Sequence, residues 1–128
     1  MRVAAAVFRN QNKILLMRRG PDQPMAGQWE YPGGKFEPGE DGPQCVWREL
    51  FEELGINATI GNLITNVTYV TDHGKSIELY AYEILDYTGD ISLCVHDLME
   101  WVPIDELLNH AQLPADLLVS RVLVKNAG

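Results

Sequence analysis

Three glutamates near the middle of the chain have the chemistry and the spacing of a metal site. Glu49, Glu52 and Glu53 fall within one arc of about 100° if their segment is helical, because an α-helix turns by ~100° per residue. Like charges three and four residues apart destabilise a helix by roughly a few tenths of a kcal/mol per pair, so a compensating cation is expected. Carboxylate oxygens are hard ligands that suit Mg²⁺ or Mn²⁺. The competing interpretation is a solvated acidic helix face that binds nothing.

A glycine pair and two basic residues complete the candidate site. Gly33 and Gly34 allow a close backbone approach, and one of their carbonyl groups could ligate a metal ion. Lys35 adds a point charge for phosphate. Arg48 lies four residues before Glu52, so its guanidinium is predicted to fork onto that carboxylate and to hold it in one rotamer. Together these residues predict a site for a metal ion and a small phosphorylated ligand.

The segment that carries the glutamates has helix signals over residues 43–54. Asp41 or Gly42 can cap its start, and Gly55 supplies the left-handed residue that commonly ends a helix. Apolar residues recur at intervals of three and four on the side opposite the glutamates. These residues are Val46, Trp47, Leu50, Phe51 and Leu54. The pattern predicts a helix with one acidic face and one buried face.

The remaining segments alternate between strand and helix patterns. Residues 2–9 and 13–18 are predicted to form an opening hairpin, and residues 20–28 a surface loop. Further strands are predicted at 29–31, 58–71, 76–86 and 98–102, and helical segments at 103–109 and 115–125. Hairpins interleaved with helices favour a mixed sheet with helices on both faces. The predicted fold class is therefore α/β, an α/β/α sandwich with a mixed β-sheet, formed by one domain over residues 1–128.

Composition restricts the kind of protein and its partners. The chain has 128 residues, 46% of them hydrophobic and 22% charged, which is ordinary for a globular domain. A net charge of -8 disfavours binding to a nucleic-acid polymer, and no apolar run approaches the ~20 residues of a membrane span. With no export signal, the chain is expected in the cytoplasm, as a monomer or homodimer. Cys45 and Cys94 both sit among apolar residues and are expected to be buried free thiols.

The acidic helix and the glycine-rich stretch together resemble a known motif. The Nudix box has the pattern G-x5-E-x7-R-E-U-x-E-E-x-G-U, where U is a bulky aliphatic residue. The fixed positions are all satisfied here, by Gly34, Glu40, Arg48, Glu49, Leu50, Glu52, Glu53, Gly55 and Ile56. The stretch QWEYPGGKFEPGE is also similar to the WEFPGGKIE region of MutT-type enzymes. On these residues the chain is identified as a member of the Nudix hydrolase superfamily, in a MutT-like branch whose pattern resembles bacterial CTP pyrophosphohydrolases and 8-oxo-dGTP diphosphatases.

The resemblance implies a reaction, a cofactor and a set of ligands. Such enzymes hydrolyse a nucleoside triphosphate to a monophosphate and pyrophosphate with Mg²⁺, for which Mn²⁺ can substitute. The implied metal ligands are a carbonyl oxygen of Gly33 or Gly34 and the carboxylates of Glu49, Glu52 and Glu53. The same resemblance gives catalytic roles to Arg48, Glu49 and Glu52.

Five residues are predicted to contact the nucleotide. Lys35 and Arg19 are candidates for the phosphates, although Arg19 could equally be a solvent-facing strand end. Trp29 and Tyr31 could stack on the base or belong to the core. Asp116 lies where the resemblance places a residue that contacts the base. An ionised carboxylate only accepts hydrogen bonds, so it favours the exocyclic amine of cytosine or adenine, unless Asp116 merely caps the last helix.

One position departs from the family pattern. MutT-like enzymes often place a glutamate six residues before the tryptophan of the late strand, and counting back from Trp101 gives Val95. Valine neither binds metal nor accepts a proton, so the general base is expected among the box glutamates, with His96, Asp97 or Glu100 as fallbacks. Hydrolysis of ADP-ribose or dinucleotides and a non-catalytic base-binding module are the alternative functions.

Overall fold

The computed structural model describes residues 1–127, which form eight strands, two α-helices and one 3₁₀ helix. The strands are β1 Arg2–Val7, β2 Arg9–Asn10, β3 Lys13–Arg19, β4 Trp29–Glu30, β5 Gly33–Lys35, β6 Asn57–Val70, β7 Ser76–Thr88 and β8 His96–Pro103. The helices are α1 Gly42–Leu54, the 3₁₀ helix Ile104–Asn109 and α2 Pro114–Ala127. Among these residues, no helix has the length and apolar content needed to cross a membrane. The predicted elements are present with small shifts at their ends, and β5 is an addition to the prediction.

The strands form two sheets. The first has the order β5-β1-β7-β6, in which β1 runs parallel to β7 and antiparallel to β5, and β6 runs antiparallel to β7. In the second, β3 pairs in antiparallel fashion with β8, β2 and β4. The parallel β1–β7 pair among antiparallel neighbours makes the first sheet mixed, which confirms the prediction.

The two α-helices cover opposite faces of the first sheet. Successive side chains of a strand point to opposite faces. Accordingly, Ala4 and Ala6 of β1 pack with the buried residues of α1, whereas Ala5 and Val7 pack with those of α2. This layering confirms the predicted α/β/α sandwich. It also places Glu49 of α1 against Gly34 of β5.

The predicted opening hairpin is wrong for most of its first strand. β1 pairs with β5 and β7, and only the two-residue β2 pairs with β3. Four consecutive residues of β1, from Ala4 to Val7, are buried, which is typical of a central strand with both faces covered. The sequence pattern identifies such a strand but does not identify its neighbours.

Helix α1 has the predicted caps. Asp41 accepts a hydrogen bond from the Gln44 backbone N–H, and the Gln44 side chain accepts one from the Asp41 N–H, so the two residues form a capping box. Gly55 follows the helix with a φ of 71°, a left-handed conformation that glycine adopts without strain. These caps fix where the acidic face begins and ends.

Part of the predicted apolar face of α1 is exposed. Trp47 and Phe51 are 41% and 55% exposed, and their rings stack on each other with centroids 5.5 Å apart. The arc that α1 buries against the sheet is narrower than the predicted five-residue face, so this flanking pair meets solvent. Of the five residues predicted for this face, Val46, Leu50 and Leu54 are buried.

The two cysteines are free but lie in different surroundings. Cys45 is buried in α1 as predicted, and burial raises the pKa of its thiol to about 12. Cys94 is exposed in the loop before β8, so the expectation of a buried thiol is wrong there. The apolar residues beside Cys94 suggested a core position, but Leu93 is itself exposed in the same loop.

Candidate active site

A cleft of about 780 Å³ collects most of the predicted site residues. Its lining includes part of α1, the glycines of β5, the end of β3, the segment around β4 and the first turn of α2. Apolar side chains such as Val3, Ile77 and Leu79 form part of its wall. The predicted residues in the lining are Arg19, Tyr31, Gly33, Gly34, Lys35, Glu49, Glu53 and Asp116. The fold thus gathers residues from separate elements around one cavity.

Two of the predicted metal ligands lie close together in this cleft. Burial first, and then a hydrogen bond and the negative charge of Glu49, raise the pKa of Glu53 to about 8. A Cβ atom at Gly34 would lie 2.5 to 2.7 Å from the Glu49 carboxyl atoms, so only glycine leaves room for that carboxylate. Gly33 has a φ of 153°, and a Cβ there would overlap the Ala4 carbonyl group. The backbone packing of β5 therefore requires glycine at position 33, whereas a side chain at position 34 would displace the Glu49 carboxylate.

The donor set of the cleft fits a divalent cation. Among residues 1–127, no group of three acidic, histidine or cysteine side chains is arranged to hold a metal ion. The side chain of Glu52, the third predicted carboxylate ligand, is 54% exposed and lies 3.3 Å from Arg48. Glu49 and Glu53 nevertheless form a pair of hard oxygen donors in which the Glu53 carboxyl group favours its proton, because it is buried and lies beside the negative charge of Glu49. A cation would relieve this repulsion.

Arg48 fastens the glycine-rich loop to α1. Its Nε and Nη2 donate to the two carboxylate oxygens of Glu40. Its Nη1 donates to Glu49 at 2.9 Å, and its Nη2 also donates to the Lys35 carbonyl at 3.0 Å. The contact with Glu52 is longer, at 3.3 Å, so the predicted fork onto Glu52 is wrong. Glu40 enters from the loop and receives the fork instead, and these hydrogen bonds lower the pKa of Glu40 to about 2.

A second charged network joins three strands of the second sheet. Arg19 of β3 donates from Nη1 to both carboxylate oxygens of Glu30, at 3.0 and 3.1 Å, and from Nε to the Pro24 carbonyl at 2.6 Å. His96 of β8 has its Nε2 2.8 Å from Glu30 Oε2. Glu30 lines the cleft but was missed by the sequence analysis. The available signal is a carboxylate between two aromatic residues in a short strand, where it needs a positive partner.

Asp116 is buried in the first turn of α2 and lines the cleft. Its Oδ2 accepts a hydrogen bond from the Tyr31 backbone N–H at 2.9 Å. Burial first, and then the negative charge of Glu30, raise the pKa of Asp116 to about 7. Asp116 therefore connects α2 to the segment after β4, and it changes charge near neutral pH inside the cleft.

The two aromatic candidates lie in different positions. Tyr31 lines the cleft, but it is only 3% exposed and its hydroxyl lies 2.5 Å from Ser120 Oγ. Trp29 is outside the lining and packs edge-on against His110, with ring centroids 5.2 Å apart. The structure therefore brings Tyr31, and not Trp29, to the ligand space. Base stacking by either residue stays a prediction.

The late-strand position that departs from the family pattern does face the cleft. Val95 belongs to the lining, and its carbonyl accepts a hydrogen bond from the Gly20 N–H at 3.0 Å. Asp97 instead receives two hydrogen bonds from Arg18, at 2.9 and 2.8 Å. Glu100 contacts His110, which lies outside the cleft lining. His96, the third fallback residue, is bound to Glu30. The structure therefore places all three fallback residues in other interactions.

The arrangement suits a small phosphorylated ligand. Carboxylates of α1 supply hard donors for a cation, while Lys35 and Arg19 place positive charge in the same cleft for phosphate oxygens. Asp116 adds a single buried polar group to a wall that also carries apolar side chains. Polar groups that converge beside apolar side chains are typical of sites that orient small molecules.

Three known proteins share the fold or the sequence over much of the chain. A model of the NUDIX domain matches residues 1–121. The CTP pyrophosphohydrolase of Escherichia coli (strain K12) is 38% identical over 120 residues, which cover 90% of this chain and 84% of that protein. The 8-oxo-dGTP diphosphatase of the same strain is 41% identical over 70 residues, which cover 54% of either protein. The solution structure of the E. coli ORF135 protein matches with a TM-score of 0.88 and 34% identity, covering 99% of this chain and 90% of that one.

Proposed function

The chain belongs to the NUDIX domain family, and from this membership we propose that it is a nucleoside triphosphate pyrophosphohydrolase that releases a nucleoside monophosphate and pyrophosphate. The observation that carries the proposal is the carboxylate pair Glu49 and Glu53 beside Gly34, in a cleft that also holds Arg19 and Lys35. Donors for a cation and positive charges for phosphate line the same space. Both favour hydrolysis of a phosphate anhydride, because each stabilises negative charge on the phosphate oxygens.

Nudix hydrolases generally need a divalent metal ion, and we assign its binding to the carboxylates of the cleft. The proposed ligands are Glu49, Glu52 and Glu53 with a carbonyl oxygen of Gly33 or Gly34. Hard oxygen donors favour Mg²⁺, with Mn²⁺ as a substitute. When bound, such an ion neutralises phosphate charge and lowers the pKa of a coordinated water. The protein's own contribution is positional, because Arg48 holds Glu49 at 2.9 Å and ties the glycine loop to the same helix.

We assign the general base to Glu52. Val95 occupies the late-strand position in the cleft and cannot accept a proton, so we assign that role to a carboxylate of α1. Glu49 is held by Arg48 against Gly34, and Glu53 is partly buried beside it. The Glu52 side chain is 54% exposed and has only long contacts with Arg48, which leaves its oxygens accessible to water.

We propose cytosine nucleoside triphosphates, or damaged adenine nucleotides that keep the exocyclic amino group, as the preferred substrates. Asp116 supplies an acceptor for an exocyclic amine, and one similar protein is named a CTP pyrophosphohydrolase. Such an activity would remove altered nucleotides from the nucleotide pool. Hydrolysis of ADP-ribose or dinucleotides is not favoured by these similarities. A non-catalytic module is not favoured either, because every box glutamate is present.

Pyrophosphate release from a panel of nucleoside triphosphates tests the proposal. The panel contains CTP, dCTP, methylated and oxidised cytosine nucleotides, 8-oxo-dGTP and oxidised dATP, each assayed with Mg²⁺, with Mn²⁺ and with a chelator. We expect metal-dependent release that is higher for cytosine and adenine nucleotides, whose amino groups are N4 and N6, than for 8-oxo-dGTP. Glu106→Gln is a suitable control for Glu52→Gln, because Glu106 is an exposed glutamate on the 3₁₀ helix outside the cleft. No release above the chelator background from any nucleotide would contradict the proposal.

A further inference from the structure

Three neighbouring strands each contribute one residue to a network beside the cleft. β3 pairs with both β4 and β8, and His96 of β8 reaches Glu30 of β4 with Nε2 2.8 Å from Oε2. Arg19 of β3 donates to the same carboxylate at 3.0 and 3.1 Å. A β-bulge at Asp97 places His96 opposite Arg19 in the β3–β8 register. The bulge thus places His96 opposite Arg19, where regular pairing would place Asp97.

His96 acts as a hydrogen-bond donor in this network. Its side chain is 1% exposed, and its Nδ1 has no partner among residues 1–127. A protonated ring would bury an unpaired, positively charged N–H group, whereas a neutral ring with its proton on Nε2 leaves only an unpaired acceptor. The neutral Nε2–H form therefore fits best, and it donates to the ionised carboxylate of Glu30.

Arg19 has more than one carboxylate within reach of its charge. Glu53 and Asp116 line the same cleft, and the positive charge of Arg19 acts to lower the pKa of both. Arg19 nevertheless pairs with Glu30, whose carboxylate is also held by His96. In this arrangement Arg19 uses Nε and Nη1, while its Nη2 makes no hydrogen bond within residues 1–127. One guanidinium nitrogen is left for a ligand.

We propose that His96 and Glu30 are positioning residues that hold Arg19 for contact with substrate phosphate and keep it away from the carboxylate of Asp116 on α2. The inference rests on the proposed nucleotide hydrolysis and deepens it. His96 acts only through Glu30. Loss of its N–H group frees the Glu30 carboxylate to turn, and Arg19 then pairs with Asp116 instead. Phosphate affinity falls as a result, while the residues that carry out the chemical step are untouched.

Two substitutions at His96 test the role of its donor. His96→Leu keeps an apolar volume but removes the N–H group, and His96→Gln restores a donor near the Nε2 position. For the preferred nucleotide we expect His96→Leu to raise KM about ten-fold and to leave kcat within about two-fold, the size of effect produced by losing one hydrogen bond to a charged group. His96→Gln should recover most of the affinity. In a Glu30→Gln background, His96→Leu should add less than about two-fold, because the partner through which it acts is already changed.

His110→Leu is the matched control. His110 also contacts a glutamate through Nε2 and also has a buried Nδ1 without a partner among residues 1–127, but it lies outside the cleft lining. Its replacement should leave KM unchanged, and thermal unfolding should be recorded for every variant. A folded His96→Leu protein with wild-type KM would overturn the inference. So would a His96→Gln protein no better than His96→Leu. Should His96→Leu not fold, Glu30→Gln takes its place, and a wild-type KM for that variant has the same meaning.

Binding of inorganic tripolyphosphate separates this inference from the proposed reaction. Calorimetric titration with Ca²⁺ in place of Mg²⁺ measures the affinity for phosphate without turnover, and tripolyphosphate carries no nucleobase. If the wild type hydrolyses no nucleotide yet binds tripolyphosphate about ten-fold more tightly than His96→Leu, the reaction is wrong and the positioning role stands. Equal affinities of the two proteins would overturn the positioning role even in an active enzyme.

Discussion

Asp116→Asn should change the way in which the stability of the chain depends on pH. Asp116 is 6% exposed, and folding raises its pKa from 3.8 to about 7. A carboxyl group with a raised pKa holds its proton more tightly in the folded chain than in the unfolded chain. The free energy of unfolding therefore falls as the pH rises from the unfolded pKa to the folded pKa, and it is level above the folded pKa.

The size of the effect follows from the pH interval. From about pH 5 up to the folded pKa of about 7, the free energy of unfolding falls over roughly two pH units, and from there to about pH 8 it is level. At about 1.36 kcal/mol per unit, the decrease amounts to about 2 to 3 kcal/mol. Asparagine does not titrate, and its Oδ1 can still accept the hydrogen bond that Tyr31 donates to Asp116. The stability of the variant relative to the wild type should therefore rise by that amount across the interval.

Urea unfolding at a series of pH values measures this difference. Glu53 also has a raised pKa, so the wild type loses more stability than Asp116 alone explains. Glu53 is present in both proteins, and subtracting the two curves removes its contribution. Asp105→Asn is the control, because Asp105 is an exposed aspartate on the 3₁₀ helix, and its curve should run parallel to the wild type. Parallel curves for Asp116→Asn as well would refute the argument that a buried carboxyl group titrates near neutral pH.

Further substitutions test the chemistry of the reaction and the choice of nucleobase. Glu52→Gln and Glu53→Gln should each lower kcat by about 10² to 10⁴ with folding intact, because a base or a metal ligand is lost; near-wild-type turnover of both at saturating Mg²⁺ would place the metal site elsewhere. Val95→Glu should keep the same products and change rate or metal preference only modestly, as followed by product chromatography; abolished turnover in Asp97→Asn together with an active Glu52→Gln would move the base to β8. Asp116→Asn should reduce the ratio of kcat/KM for dCTP over 8-oxo-dGTP by about ten- to a hundred-fold, because a mismatched buried hydrogen bond costs about 1 to 3 kcal/mol; an unchanged ratio would mean that the base is recognised by other residues.

The helix and its acidic face were predictable because their determinants are local. The capping residues Asp41 and Gly55 and the spacing of the glutamates are read directly from consecutive positions, and the structure has the helix and both caps. Contacts between distant residues were not accessible in the same way. Glu30 and His96 are 66 positions apart, and nothing in either local pattern indicates that they meet. The fork of Arg48 onto Glu40 likewise depends on how the loop returns to the helix.

Burial of single residues was also beyond the pattern. Periodicity assigned Trp47 and Phe51 to the buried face of α1, but the contact area between a helix and a sheet depends on the packing angle and on the neighbouring loops. The rings of Trp47 and Phe51 stack on each other, which removes part of their apolar surface from water. The strand β1 shows the same limit, since its apolar residues predicted a strand but its parallel partner β7 lies far along the chain.

The ion pair between Arg48 and Glu40 is lost in a different pH range from the one in which the buried carboxyl groups of the cleft change charge. The pKa of Glu40 is about 2, below its ordinary value of 4.5, so the stabilisation by this pair is complete above the ordinary value and is lost only as the pH falls toward about 2. Glu53 and Asp116, with pKa values of about 8 and about 7, change charge in a much less acidic range. Across mild acid to mild alkali, the backbone that carries Gly33 and Gly34 stays clamped while two charges beside it appear or vanish. In this pH range, therefore, the charge of the cleft lining changes while the Arg48–Glu40 pair that holds the glycine-rich loop does not.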